Sequence, residues 1–133
     1  MAEPSTDREL LTAAAEAAGL RITWGEKYMI GGDEVDCTDL PYTVSDDREE
    51  SPAYWNPLED DGDALRLLAK LRLQVDYRPG FVGVCKSFGP YIGQCPHDED
   101  KPDDTAATRR AIVRAAAAIR SLAGERKGTP HHE

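Results

Sequence analysis

The sequence predicts an α+β domain in which three helices pack on an antiparallel sheet of about three to five strands. Three segments carry apolar residues at helical spacing, and stretches between them alternate apolar with polar residues, as strands do. Because each such face is apolar on one side only, an α-β-α sandwich with the order α-β(β)-loop-α-β-β-α would bury them all. The 133 residues suit a single domain, which we place at residues 1–124, followed by a flexible tail at residues 125–133.

The three predicted helices have recognisable ends. The first follows a capping box that starts at Thr6, and it stops at Gly19. The second begins after Pro57, where acidic residues in the first turn suit the helix dipole, and it ends near Arg72. The third is the longest, at residues 105–123, and we expect its many alanines to let it lie close against the sheet.

Strand-forming residues occupy three stretches. A strand or a hairpin is predicted within residues 20–30, and Gly31-Gly32 ends it. Alternating residues on both sides of a turn at Pro79-Gly80 predict a hairpin within residues 73–88. A further extended piece is expected at residues 91–95.

A long acidic loop is predicted at residues 33–57, which contain several prolines and no sustained period, with at most a short strand at residues 42–44. Between Asp33 and Asp63 the chain has twelve acidic residues and one basic residue, Arg48. The sign reverses in the last helix, which is rich in arginine. Because loops of this length in compact domains are uncommon and often functional, the acidic loop is the first place to look for a binding surface.

The charge distribution restricts the class of partner. The formal net charge of −9 repels phosphate backbones, so direct nucleic-acid binding is not expected, whereas a basic protein surface would be attracted. No run of about eighteen apolar residues predicts a membrane span, and residues 1–12 lack the basic and apolar regions of a signal peptide, so we expect a cytoplasmic protein. The odd number and irregular spacing of Cys37, Cys85 and Cys95 indicate free thiols in a reducing compartment.

Enzymatic and metal chemistry find little support in the sequence. The most favourable set of zinc ligands is Cys85, Cys95 and His97, with Cys37 as a fourth. This set lacks a Cys-x-x-Cys pair, so buried or idle thiols are the expectation. The aspartate runs at residues 98–104 and 60–63 lack the spacing of an EF-hand, and neither a nucleophile elbow nor a phosphate-binding glycine loop is present. We therefore predict a protein without catalytic activity, cofactor or metal.

The stretch from Trp55 to Leu67, the stretch from Ala107 to Ala116 and the opening at residues 9–19 together resemble small phage and prophage proteins of the phage ABA sandwich type. The resemblance implies an α-β-α sandwich encoded among phage accessory genes, which are largely of unassigned function; the cytoplasm in question would then be that of a bacterial host. It covers the three helices, roughly half of the chain, and leaves residues 25–54 and 77–104 uncovered.

Together these observations favour a phage-encoded binding protein, a monomer or small homo-oligomer, that inhibits or modulates a host protein machine. The first target to test is a host-defence complex that binds nucleic acid, as in anti-CRISPR action, because carboxylates can occupy a phosphate-binding groove. Tyrosines among the carboxylates would anchor the partner. The residues expected to bind it are Asp36, Asp39, Tyr42, Asp46, Asp47, Glu49, Glu50 and Tyr54.

Two alternatives belong to other classes. One is a protein that sequesters a nucleotide or another small molecule, using Arg109, Arg110 and Arg114 for phosphates. The competing role for these arginines is pairing with the acidic loop of the same chain. The other alternative is a phage structural or assembly accessory protein.

Overall fold

The computed structural model describes residues 6–44, 53–86, 89–97 and 104–128, with side chains in the last range described to Ile119. These residues form the helices α1 (Asp7–Ala17), α2 (Asp61–Leu71) and α3 (Thr105–Gly128). The strands are β1 (Ile22–Trp24), β2 (Lys27–Ile30), β3 (Asp33–Asp36), β4 (Pro41–Thr43), β5 (Ala53–Tyr54), β6 (Gln74–Arg78), β7 (Phe81–Cys85) and β8 (Tyr91–Pro96). The chain is therefore of the α+β class, as the sequence predicts.

The helix ends follow the predicted capping chemistry closely. The Thr6 side chain accepts a hydrogen bond from the Glu9 N–H at 3.1 Å, which fixes the start of α1. Asp60 accepts from the Asp63 N–H at 2.7 Å and caps α2 in the same way. Arg72 has a φ of 55°, a left-handed conformation that ends α2 at the predicted place. The predicted end of the third helix at residue 123 is wrong: α3 continues to Gly128, since one glycine costs a helix only about 1 kcal/mol.

The strands are distributed over three small antiparallel sheets instead of one. Their orders are β1-β4-β5, β2-β3 and β6-β7-β8. The hairpin predicted around Pro79-Gly80 is confirmed as β6 and β7, and the extended piece at residues 91–95 is confirmed as β8.

α3 lies at the centre of the fold, packed against β7 and β8 and also against α1 and α2. Its alanines at the sheet are fully buried, and the expectation of a close approach is confirmed by Gly93 of β8. A Cβ atom at Gly93 would lie 2.3 Å from the backbone nitrogen of Ala115 and 2.6 Å from the carbonyl oxygen of Ala111. The distance between helix and sheet thus requires glycine on one side and small residues on the other.

The opposite face of the β6-β7-β8 sheet carries no helix of the described residues. The Tyr91 ring lies over Gly83, meets Phe81 edge-on at a centroid distance of 5.7 Å and donates its hydroxyl to Asp76 at 2.5 Å. This arrangement differs from the expected sandwich with helices on both faces of one sheet. The Tyr91 ring already covers Gly83 on this outer face, and Gln74, Asp76 and Gln94 beside it are polar, so little apolar surface is left for a second helix.

The predicted acidic loop at residues 33–57 contains strands, and its description as a loop is corrected there. Residues 33–36 form β3, residues 41–43 form β4 close to the expected short strand, and residues 53–54 form β5. Residues 45–52 lie outside the described part of the chain. The correction has a local cause: Gly31 and Gly32 have φ values of 61° and 86°, the pair of positive angles that a two-residue hairpin turn requires.

Candidate functional site

The β2–β3 hairpin, residues 27–36, is the most exposed part of the described structure. Its register pairs Lys27 with Asp36, Tyr28 with Val35, Met29 with Glu34 and Ile30 with Asp33. Every residue of both strands is exposed. The two strands contact each other, and no other described element packs against them to a comparable extent.

The two faces of the hairpin differ in chemistry, because directly opposed residues of an antiparallel pair share a face and successive residues alternate. The apolar face carries Tyr28, Ile30 and Val35, with Asp33 beside the turn. The exposed fractions of the three apolar residues are 50%, 63% and 37%.

The other face, here the charged face, carries Lys27, Glu34 and Asp36 together with Met29. Lys27 Nζ lies 3.8 Å from Glu34 Oε1, so the only cation of the hairpin already has an anionic neighbour. The hairpin is therefore an amphipathic ribbon.

This concentration of exposed apolar side chains is not typical of the rest of the surface. Eight large apolar residues are exposed in the described structure: Leu20, Tyr28, Met29, Ile30, Val35, Tyr54, Leu65 and Tyr77. Four of them belong to the ten-residue hairpin, and three of these four, Tyr28, Ile30 and Val35, lie together on its apolar face. Scattered apolar residues on a surface need no explanation, whereas a contiguous group indicates an interaction site.

The root of the hairpin is fixed by hydrogen bonds. The Gly25 N–H donates to the Leu40 carbonyl at 2.9 Å, and the Cys37 N–H donates to the Glu26 carbonyl at 3.1 Å. At Gly25 the backbone of Cys37 approaches so closely that a Cβ atom would lie 2.3 Å from the Cys37 carbonyl oxygen. The ribbon therefore leaves the domain in a defined direction.

Asp36 closes the hairpin with a turn of its own. Its Oδ1 accepts hydrogen bonds from the Thr38 hydroxyl at 2.6 Å and from the Thr38 N–H at 3.0 Å. These bonds, the hydroxyl one first, lower the pKa of Asp36 below its ordinary value. The lowered pKa favours the ionised form of Asp36. Asp39 follows it as an exposed residue of the connection to β4.

The predicted partner-binding residues divide into separate groups. Tyr42 of β4 and Tyr54 of β5 are brought together, edge to face with ring centroids 5.9 Å apart. The Tyr54 hydroxyl donates to Glu59 at 3.0 Å and accepts from Asn56 at 3.1 Å, and burial is the main cause that raises its pKa. Tyr42 is thus half-buried, whereas Tyr54 remains 43% exposed with its hydroxyl already hydrogen-bonded to the segment before α2.

The other predicted residues are Asp36 and Asp39, which lie on the hairpin and just after it, and four acids outside the described residues. Those four are Asp46, Asp47, Glu49 and Glu50. Sequence reasoning missed Tyr28, Ile30 and Val35. The alternation on both sides of a Gly-Gly pair was the available indication of a hairpin.

The arginines of the alternative ligand site are used inside the fold. Arg109 is 19% exposed at its side chain; its Nε donates to the Leu58 carbonyl at 2.8 Å, and it pairs with Asp61 at 2.6 Å. Arg110 pairs with Asp7 at 2.9 Å, which is the expected pairing within the chain but with α1 instead of the acidic loop.

Arg114 donates to the Gln94 carbonyl at 2.9 Å. The three guanidinium groups thus have partners on three different elements and do not converge on one open site.

The cysteines are free thiols: Cys85 and Cys95 are buried in β7 and β8, and Cys37 is half-buried after β3. Within the described ranges no three His, Cys, Asp or Glu side chains come together as metal ligands. Of the helices in those ranges, none combines the length and the apolar character needed to cross a membrane.

Comparisons with known proteins add no relative to this description. No family model, no curated protein and no solved structure matches the chain. The resemblance to phage ABA sandwich proteins therefore remains a prediction.

Proposed function

We propose that the chain is a non-enzymatic binding protein, encoded by a phage, that inhibits or modulates a host machine by docking on a basic protein surface. The observation that carries this proposal is the exposed, amphipathic β2–β3 hairpin with carboxylates around it. Its root and strands, residues 26–39, contain five carboxylates and one lysine, a formal charge of −4. Such a surface favours encounter with a partner of opposite charge.

The composition of the hairpin supports a protein as the partner. Carboxylates repel the phosphates of nucleic acid, and exposed apolar side chains form no favourable contacts with a charged phosphate backbone. A nucleic-acid-binding complex of the host nevertheless presents basic grooves, and an acidic ribbon can compete for them. This is the physical basis for keeping host-defence complexes, in an anti-CRISPR-like mode, as the first targets.

The test compares charge reversals at different places. Asp33→Lys and Asp39→Lys alter the proposed surface, whereas Glu16→Lys alters an exposed residue of α1. Each reversal adds two charges and brings the formal net charge from −9 to −7, so the three variants have the same net charge. Lysine at residue 16 also suits the last turn of a helix.

The intact protein is used to capture its partner from bacterial lysate, and the captured protein is identified, purified and titrated by calorimetry at two salt concentrations. We expect Asp33→Lys and Asp39→Lys to raise Kd several-fold, more strongly at low salt, and Glu16→Lys to leave it unchanged. Equal effects of all three reversals, or none, would contradict the proposal.

A further inference from the structure

We propose that the apolar face of the β2–β3 hairpin, formed by Tyr28, Ile30 and Val35, is the anchor that inserts into an apolar cleft of a basic partner protein. This inference rests on the proposed function and specifies its contact surface. The carboxylates then orient the encounter, while the apolar side chains supply most of the affinity.

The apolar face of the hairpin is not part of the described core. Its three apolar side chains remain between 37% and 63% exposed, and the described core lies elsewhere, around α3. A two-stranded ribbon is only marginally stable alone in water, so an amphipathic ribbon that leaves the domain is the kind of element that a partner completes.

The base and the turn of the hairpin have defined conformations. The hydrogen bonds at Gly25, Glu26 and Thr38 and the tight approach of Gly25 to Cys37 fix the base of the ribbon. The Gly31-Gly32 turn fixes its tip and register. Because its base is fixed and its turn is defined, the hairpin loses less conformational freedom on binding than a flexible loop would, and this favours affinity.

The charge of the hairpin favours a basic partner protein over a second copy of this chain. In a symmetric dimer the apolar faces of two copies would meet, and Asp33, which shares that face, would be brought near its own copy. Each hairpin region also has a formal charge of −4 in a chain of −9, so that two copies repel each other. A cleft with lysine or arginine at its rim has the complementary charge and can neutralise Asp33.

The test uses two faces of the same hairpin. Ile30→Thr/Val35→Thr makes the apolar face polar while keeping β-branched side chains, and Met29→Thr makes the same kind of change on the charged face. Met29 is 70% exposed, more than Ile30 or Val35, so a smaller effect of Met29→Thr cannot be attributed to burial of Met29. Thermal melting and circular dichroism establish that both variants are folded.

Calorimetry with the identified and purified partner measures the affinities. We expect the double variant to raise Kd by about tenfold or more and Met29→Thr by less than about threefold. Comparable effects of the two variants would overturn the inference. If Asp33→Lys weakens binding and the double variant does not, the proposed function stands and the anchor is wrong; if neither weakens it, both are wrong.

Photo-crosslinking identifies the occupant independently. p-Benzoylphenylalanine replaces Ile30 in one protein and Met29 in another, and the products formed in the bacterial host are mapped by mass spectrometry. We expect residue 30 to crosslink to a lysine- or arginine-rich surface of the partner, in higher yield than residue 29. A crosslink to a second copy, to another segment of the same chain or to an acidic surface would overturn the inference, and so would the absence of a product at residue 30.

Discussion

Gly93→Ala tests whether the contact between α3 and the β6-β7-β8 sheet controls stability. The added Cβ would lie 2.3 Å from the Ala115 nitrogen and 2.6 Å from both the Ala111 carbonyl oxygen and the Ala115 Cα. All three are backbone atoms of α3, so the clash cannot be relieved by rotating a side chain. The helix must move away from the sheet, which loosens the packing of buried residues such as Val84 and Ile112.

The magnitude follows from the cost of overpacking. Inserting a methyl group into a packed core costs about 1–3 kcal/mol, and the rigid neighbours place Gly93 in the upper part of that range, at about 2–3 kcal/mol. For a domain of this size Tm falls by about 3–4 °C per kcal/mol, so the predicted decrease is about 6–12 °C. At a strand position without close neighbours, replacing glycine by alanine would instead stabilise slightly.

Differential scanning calorimetry of the purified chain measures the change. Gly62→Ala is the matched control, because the added Cβ would approach only the ends of the Arg66 and Asp60 side chains, at 3.2–3.3 Å, and alanine suits α2. We expect this control to melt at or above the wild-type temperature. A Gly93→Ala variant that melts within about 1 °C of the wild type would refute the packing described for α3.

Two further predictions concern ion pairs. Arg109→Lys should lower the free energy of unfolding by about 1–2 kcal/mol, and Tm by several degrees, because lysine cannot donate to both the Leu58 carbonyl and Asp61. Arg78→Lys, at an exposed residue, is the control, and equal effects of the two changes would contradict this role of Arg109. For Asp7, the hydrogen bond from Arg110 holds the pKa below its ordinary value of 3.8, so the stabilisation is present above that pH and is lost as pH falls through the lowered pKa. The Tm difference between wild type and Asp7→Asn should therefore be small and constant near neutral pH and disappear in acid; a difference that grows below pH 3.8 would be incompatible with this sign.

The sequence alone determined the elements whose causes are local. The capping box at Thr6 and the acidic first turn after Pro57 locate the starts of two helices, and Pro79-Gly80 locates a hairpin, because each acts through hydrogen bonds, the helix dipole or dihedral angles within a few residues. The alanine-rich side of the last helix also predicted its close packing. These features do not depend on which distant segments meet.

Only the tertiary structure decided which side chains pair with each other and which remain exposed on the surface. Arg109 and Arg110 have carboxylate partners 48 and 103 residues away in the chain, which no spacing rule predicts. In the same way, composition marked residues 33–57 as acidic and aperiodic, whereas pairing with β2 makes the first four of them a strand. Strand formation depends on pairing and on the surroundings of the side chains more than on intrinsic preference. Acidic residues of low strand propensity therefore form β3, because the Gly-Gly turn places them opposite β2. The sequence therefore determined that the chain is acidic and of the α+β class. Only the folded arrangement decided that acidic residues and an exposed apolar face lie on the same hairpin, because such a face exists only once two strands are in register.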